Sequence, residues 1–259
     1  MRAQARIFVW LGVGWLVAST VSAQVIVTNA PVSDAFVRSA DPTHNYGAAG
    51  ALAVSGSIAT NPTSGLQQGL LDSFLQFNVA GDITTFNTIF GAGQWTITNV
   101  TLVVTAQSAN NADFNYGSGS FEVRWIGNNS WLEGTGTPMA PGSSGITYSQ
   151  ESSILNPGVD QSLGTFTYNG ATSGQVKLLL GSATSFISDL STGTLASLYM
   201  TATPGSMVGF TFNSRNFGTS SAWPMLDVTA VAIPEPSTIT LIGLSIAGLV
   251  AMRRRGVRR

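Results

Sequence analysis

The sequence predicts an all-β body, a β-sandwich of jelly-roll type, held between two apolar ends. Three observations predict it. The body is rich in Gly, Ser, Thr and Asn and poor in Lys and Glu, a composition of strands and turns rather than helices. About ten short strand-like segments follow one another, separated by Gly, Asn, Pro and Ser clusters. A single segment, SATSFISDL at 182–190, reads as a helix.

The chain opens with MRAQARIFVWLGVGWLVASTVSAQ. Arg2 and Arg6 precede an apolar run over 7–18, and Val21-Ser22-Ala23 forms a small-residue site. This is the layout of a secretory signal peptide over 1–23, cut between Ala23 and Gln24. An uncleaved anchor is the other reading; the short run and the well-placed small residues favour cleavage.

The strands follow in order. VIVTNAPVSDAFVR (25–38) alternates from Val32 to Val37. ALAVSG (51–56), SFLQFNV (73–79), TITNVTLVVTAQ (96–107) and SFEVRWIG (120–127) come next. LGTFTYNG (163–170), QVKLLLG (175–181), LASLYMTATPG (195–205), MVGFTFNS (207–214) and PMLDVTAVA (224–232) complete the set. There is no repeat of fixed period and no linker, so 24–232 reads as one domain.

Charge is segregated. Between 24 and 232 the four bases Arg38, Arg124, Lys177 and Arg215 face eleven acids, a net of −7. So acidic a body has no electrostatic footprint for nucleic acid. Cysteine is absent, which excludes disulfides, thiol nucleophiles and Cys-zinc sites.

The chain closes with PEPSTITLIGLSIAGLVAMRRRGVRR. The apolar run over 238–252 is about fifteen residues; at ~1.5 Å each it spans roughly 22 Å, short of a ~30 Å hydrocarbon core. It crosses a bilayer only with snorkelling flanks or local thinning. Arg253, Arg254 and Arg255 after it mark the cytoplasmic side, so the body faces out. Pro234 and Pro236 hold the backbone extended and stop the last strand, as a protease site needs.

Pro234-Glu235-Pro236-Ser237, the apolar helix and the arginine cluster resemble, in that order, the PEP-CTERM protein-sorting domain over roughly 233–255, within a C-terminal sorting segment of 233–259. The tail departs from the usual pattern by running on to Gly256-Val257-Arg258-Arg259. The resemblance implies a sorting signal of Gram-negative bacteria, read at 234–236. Its partner is an exosortase, a membrane protease-transpeptidase that removes the tail. The helix anchors the chain in the membrane until then, and the product goes to the cell surface or into extracellular polymer.

The body resembles DNRLRE domains, also described as family 96 carbohydrate-binding modules. The resemblance runs through SDAFVRSADPTHNYGAAGALAVSG, DSFLQFNVAG, ITNVTLVVTAQ and the Trp131, Glu133, Gly134, Thr135, Gly136 segment. It implies a jelly-roll sandwich and, for some members, binding of acidic polysaccharides. Few bases are present here to meet such a polymer.

Chemistry-bearing residues are sparse. His44 is the single histidine, in a turn, with no G-x-S-x-G nearby; it reads as a solvated loop residue. Glu122, Glu133 and Glu151 are the carboxylates from which a glycosidase pair would have to come. Glu133 reads better as a brace for the Trp131 loop through backbone amides. Asp34 and Asp41, with Asn45, offer oxygens for calcium, the one cofactor considered; capping of turns by these side chains is the competing reading. For polysaccharide contact the candidates are Arg38, Tyr46, Trp131 and Arg215, then Arg124 and Trp125. Core packing competes for each aromatic. Trp125 shares a strand face with Val123, whereas Tyr46 and Trp131 lie in loops, where exposure is expected. The resulting expectation is an exported, non-catalytic structural or adhesive protein, with a carbohydrate-binding module as the alternative and a glycan-active enzyme behind both.

Overall fold

A computed structural model describes residues 23–61, 65–107, 117–170 and 174–233. The strands are β1 (Gln24–Asn29), β2 (Pro31–Arg38), β3 (Ala51–Ser55), β4 (Leu71–Asn78), β5 (Trp95–Ala106), β6 (Gly119–Ile126), β7 (Gln161–Tyr168), β8 (Gly174–Leu180), β9 (Leu195–Ala202), β10 (Gly209–Asn213) and β11 (Met225–Ala232). Helices α1 (Ala80–Phe90), α2 (Tyr148–Ile154) and α3 (Thr184–Thr192) interrupt them. Among the described residues no helix is long and apolar enough to cross a membrane. The expected signal peptide and C-terminal helix lie outside the described residues.

The strands pair antiparallel throughout, in the order β1-β11-β5-β10-β3-β4-β9-β6-β7, with β8 on β5 and β2 on β4. Two joints are thin: β10 meets β5 at Phe212↔Ala106, and β3 meets β4 at Ser55↔Leu71. Ser73 reinforces the second joint, donating to the Ala53 carbonyl at 2.7 Å and accepting the Ala53 N–H at 3.1 Å.

The two arms of this path share one apolar cluster. Val100, Leu102 and Val104 of β5 with Val228 of β11 enter it from one arm. Leu75 and Phe77 of β4, Leu198 of β9 and Val123 of β6 enter from the other. A smaller cluster lies on the opposite face of β2, β4, β9 and β6: Ala35, Val37, Phe74, Tyr199 and Ile126, under Trp131 and Ile146 of the following loop. The alternation expected from Val32 to Val37 is therefore absent. Residues 34–37 are all buried, with Phe36 in the main cluster and Ala35 and Val37 in the smaller one. β4 behaves likewise, buried from Leu71 through Phe77.

Among the described residues of the body three α-helices form where one was expected. α3 matches 182–190, displaced by two residues. α1 is threonine-rich; Thr85 and Thr88 donate to the carbonyls of Gly81 and Thr84, so hydroxyls that usually compete with a helix are absorbed by it. α2 begins at a Thr147-x-x-Gln150 capping box, the Gln150 side chain accepting the Thr147 N–H at 3.2 Å.

β1 and β11 bring the ends of the body together, Gln24 opposite Val231. Ala232 N–H donates to the Ala23 carbonyl and Ile233 N–H to that of Gln94.

Candidate functional site

The loops after β2, β6 and β10 meet at one end of the sheet, and Asn45 is the centre of that meeting. It is fully buried. Its amide group donates to the carbonyls of Glu133 (2.7 Å) and Ile146 (2.8 Å). Its carbonyl oxygen accepts the N–H groups of Gly47 (3.0 Å) and Gly136 (3.1 Å). One side chain thus satisfies four backbone groups that burial would otherwise orphan. The glycines are required by space: a Cβ on Gly47 would lie 1.8 Å from the Glu133 carbonyl oxygen, and one on Gly136 1.8 Å from that of Asn45.

Arg215 and Asn216 close the cluster from the third loop. Arg215 Nε donates to Glu133 Oε1 at 2.8 Å, and Asn216 Nδ2 donates to the same oxygen at 3.0 Å. Glu133 is therefore a brace held by two side chains, not by the backbone amides expected from sequence. The Arg215 backbone N–H donates to Asp34 Oδ2 at 2.7 Å. Burial pushes the Asp34 carboxyl up to about 7; the Arg215 N–H opposes this, the Glu133 charge adds to it, and the Arg215 charge opposes it again.

Asp41 sits in a separate group. Its oxygens take the Tyr46 hydroxyl and His44 Nδ1, and these bonds, Tyr46 first, hold its carboxyl below the usual range. Most of the oxygens read as a calcium set are bonded within the protein: Asp34 Oδ2 to Arg215, Asp41 to Tyr46 and His44, Asn45 to two glycines; Asp34 Oδ1 is buried without a partner. Among the described residues no three His, Asp or Glu side chains gather around a common point. Arg38 is turned to Gln68, donating to its side-chain oxygen at 2.7 Å.

The two loop aromatics are not exposed. Tyr46 is buried and stacks on Phe36 at 4.7 Å between ring centres. Trp131 is buried against Phe74, its Nε1 donating to Ser197 Oγ at 3.1 Å. Bonded polar tips explain both, Tyr46 at the surface turn through Asp41 and Trp131 inside through Ser197: each ring gains burial without stranding its donor. Trp125 is core as well, donating to Asp189 at 2.9 Å. Beside the loop cluster a cavity of about 330 Å³ opens, walled chiefly by Phe36, Ala49, Leu52, Thr211 and Phe217.

The other candidate acids are dispersed. Glu122 lies 3.5 Å from Arg124. Glu151 accepts the Tyr199 hydroxyl at 2.5 Å, under α2. Sequence reasoning missed its neighbour Asp72. This acid of β4 is almost wholly buried, with one oxygen unpartnered. Burial, then the Glu151 charge, raises its carboxyl well above the usual range, and burial raises Glu151 also. The only sequence signal was an acid inside a strand of apolar residues.

The sorting elements Pro234, Glu235, Pro236 and Arg253, Arg254, Arg255 lie outside the described residues, whereas Ala23 and Gln24 are placed at the start of β1. The resemblance of the body to DNRLRE domains rests on the segments quoted above alone. Comparison with curated proteins found no match. Comparison with family models found one for residues 232–255, the PEP-CTERM protein-sorting motif. Directly after its last strand, then, the chain carries a PEP-CTERM sorting motif, which implies export, a membrane-associated C-terminal signal and processing by an exosortase.

Proposed function

We propose that the protein is delivered by an exosortase to the cell surface or extracellular polymer, where its body serves as a non-catalytic structural or adhesive β-sandwich of jelly-roll type. The observation that carries this is the motif at 232–255, set immediately behind β11. The single apolar cluster shared by both arms of the sheet supports the sandwich reading. The dispersal of the candidate carboxylates supports the non-catalytic reading: Glu122 lies beside Arg124, Glu133 is held by Arg215 and Glu151 by Tyr199. Intact-mass analysis of protein from native cells and medium tests the sorting. The expected product begins at Gln24 and ends near Pro236. Recovery of a surface form that keeps its arginine tail overturns it.

A carbohydrate-binding module is the second reading, favoured by the cavity between Phe36 and Phe217 beside Tyr46 and Arg215. Affinity electrophoresis on neutral and acidic polysaccharides tests it, with Phe217→Ala as the variant. Retardation that the variant loses supports the module; migration unchanged on every polymer rejects it.

A further inference from the structure

We propose that the end of the body from which the sorting tail leaves is a membrane-contact tip, seated on the phospholipid surface while the tail is still attached. The inference rests on the sorting reading. At this end the 91–94 turn after α1 joins Trp95 of β5, and Ile233 is bonded to Gln94. Ile89 is 52% exposed and Ile233 43%. Phe90 and Trp95 are half-buried, and Ala92 is exposed. Trp95 packs on Phe86 at 5.0 Å and donates to Asn87 Oδ1 at 2.8 Å, so its ring is fixed at the tip.

The segments at the tip carry no charged side chain; a chain cut after Ala23 adds only the α-amino group of Gln24, a cation that suits anionic headgroups. No Asp, Glu, Lys, Arg or His occurs in 23–33, 83–107 or 228–233, the segments that build it. Two acids border these segments: Asp82 at the start of α1 is buried and bonded to Asn29, and half-buried Asp227 of β11, five positions before Ala232, accepts the Thr28 hydroxyl at 2.6 Å. In so acidic a body, an end without charged side chains in its outermost segments, with exposed isoleucines and a rim tryptophan, matches a bilayer interface in chemistry.

The reach of the chain identifies the occupant. Four residues, 234–237, separate the described end from the apolar run. Fully extended they cover at most ~14 Å. A run entering the hydrocarbon therefore holds the tip at or near the headgroups, whose layer is only several Å deep on each side.

The absence of native cysteine makes the test direct. Ile89→Cys, Ala92→Cys and Met139→Cys are each made in the chain that retains its tail, labelled with a fluorescent nitrobenzoxadiazole group. They are reconstituted in vesicles of phosphatidylethanolamine and phosphatidylglycerol containing nitroxide-labelled lipid. Met139 is 95% exposed, and its neighbour Pro138 lines the cavity with Gln107, beyond the far end of β5. Eleven strand steps separate that end from Trp95, roughly 37 Å. The expected result is quenching at 89 and 92 at least about twofold stronger than at 139. Equal quenching at all three positions, with the protein floating with the vesicles, overturns the tip and leaves the sorting reading intact. Failure to float removes the membrane anchor itself, and both readings fall.

Discussion

Asp34 makes stability depend on pH in a direction opposite to that of an ordinary ion-paired carboxylate. Its carboxyl rises from 3.8 to about 7 because burial outweighs the bond from Arg215. The folded state thus holds this proton more tightly than the unfolded chain. Its stabilising contribution is complete at low pH and is lost as pH rises from about 4 to about 7, levelling off above. At ~1.4 kcal/mol per pH unit the loss is roughly 4 kcal/mol. Asp34→Asn keeps an acceptor for the Arg215 N–H and cannot ionise. Urea unfolding followed by tryptophan fluorescence, on the full chain in detergent, gives the two stability curves. They should coincide near pH 4 and diverge until the variant is more stable by up to ~4 kcal/mol near pH 8. Curves that stay parallel across this range would refute the burial of a protonated Asp34.

The remaining predictions concern packing and the second acid. Asn45→Ala should cost at least ~3 kcal/mol, since four buried backbone groups lose a partner, and amide exchange at Gly47 and Gly136 should accelerate. Retained protection at both glycines would count against the pinning role. Gly136→Ala should cost ~2 kcal/mol or more in the same unfolding assay, because its Cβ meets a carbonyl oxygen. Trp131→Ala should cost about 3–5 kcal/mol, where loss of a solvent-facing ring would leave the unfolding midpoint unmoved. Asp72→Asn should raise the melting temperature at neutral and alkaline pH and leave it unchanged near pH 4, by scanning fluorimetry; a gain equal at both pH values would contradict a carboxyl raised chiefly by burial.

Much of the sheet is legible in sequence because its strands are bounded by turn residues. TITNVTLVVTA and MLDVTAVA carry the β-branched residues that pack on a pleated surface, and both form long strands. Patterns failed where a strand is covered on both sides: LDSFLQF has no alternation to read, since Phe74 enters one cluster and Leu75 the other. α1 was hidden by its threonines, whose bonding to carbonyls one turn back appears only in three dimensions. Loop position was a poor guide to exposure. Tyr46 and Trp131 are loop residues, but each loop folds back over the sheet and takes its ring inside. Asn45 was visible as part of Asn45-Tyr46-Gly47, and its bond from Gly47 is local, yet the other three depend on segments about ninety to a hundred positions later, which no local pattern encodes.

The pairing of β1 with β11 also sets the order in which an exported chain can complete its fold. Among the described strands, β1 reaches the far side of the membrane first, and β11, the one it pairs with, reaches it last. Roughly two hundred residues must pass before that ladder can close, a loop closure of high contact order. Until then Val25, Ile26 and Val27 belong to a strand with no hydrogen-bonding neighbour, exposed to misassociation with other chains. The final ladder forms beside the start of the sorting motif, so processing of that motif and closure of the sheet are events at one place.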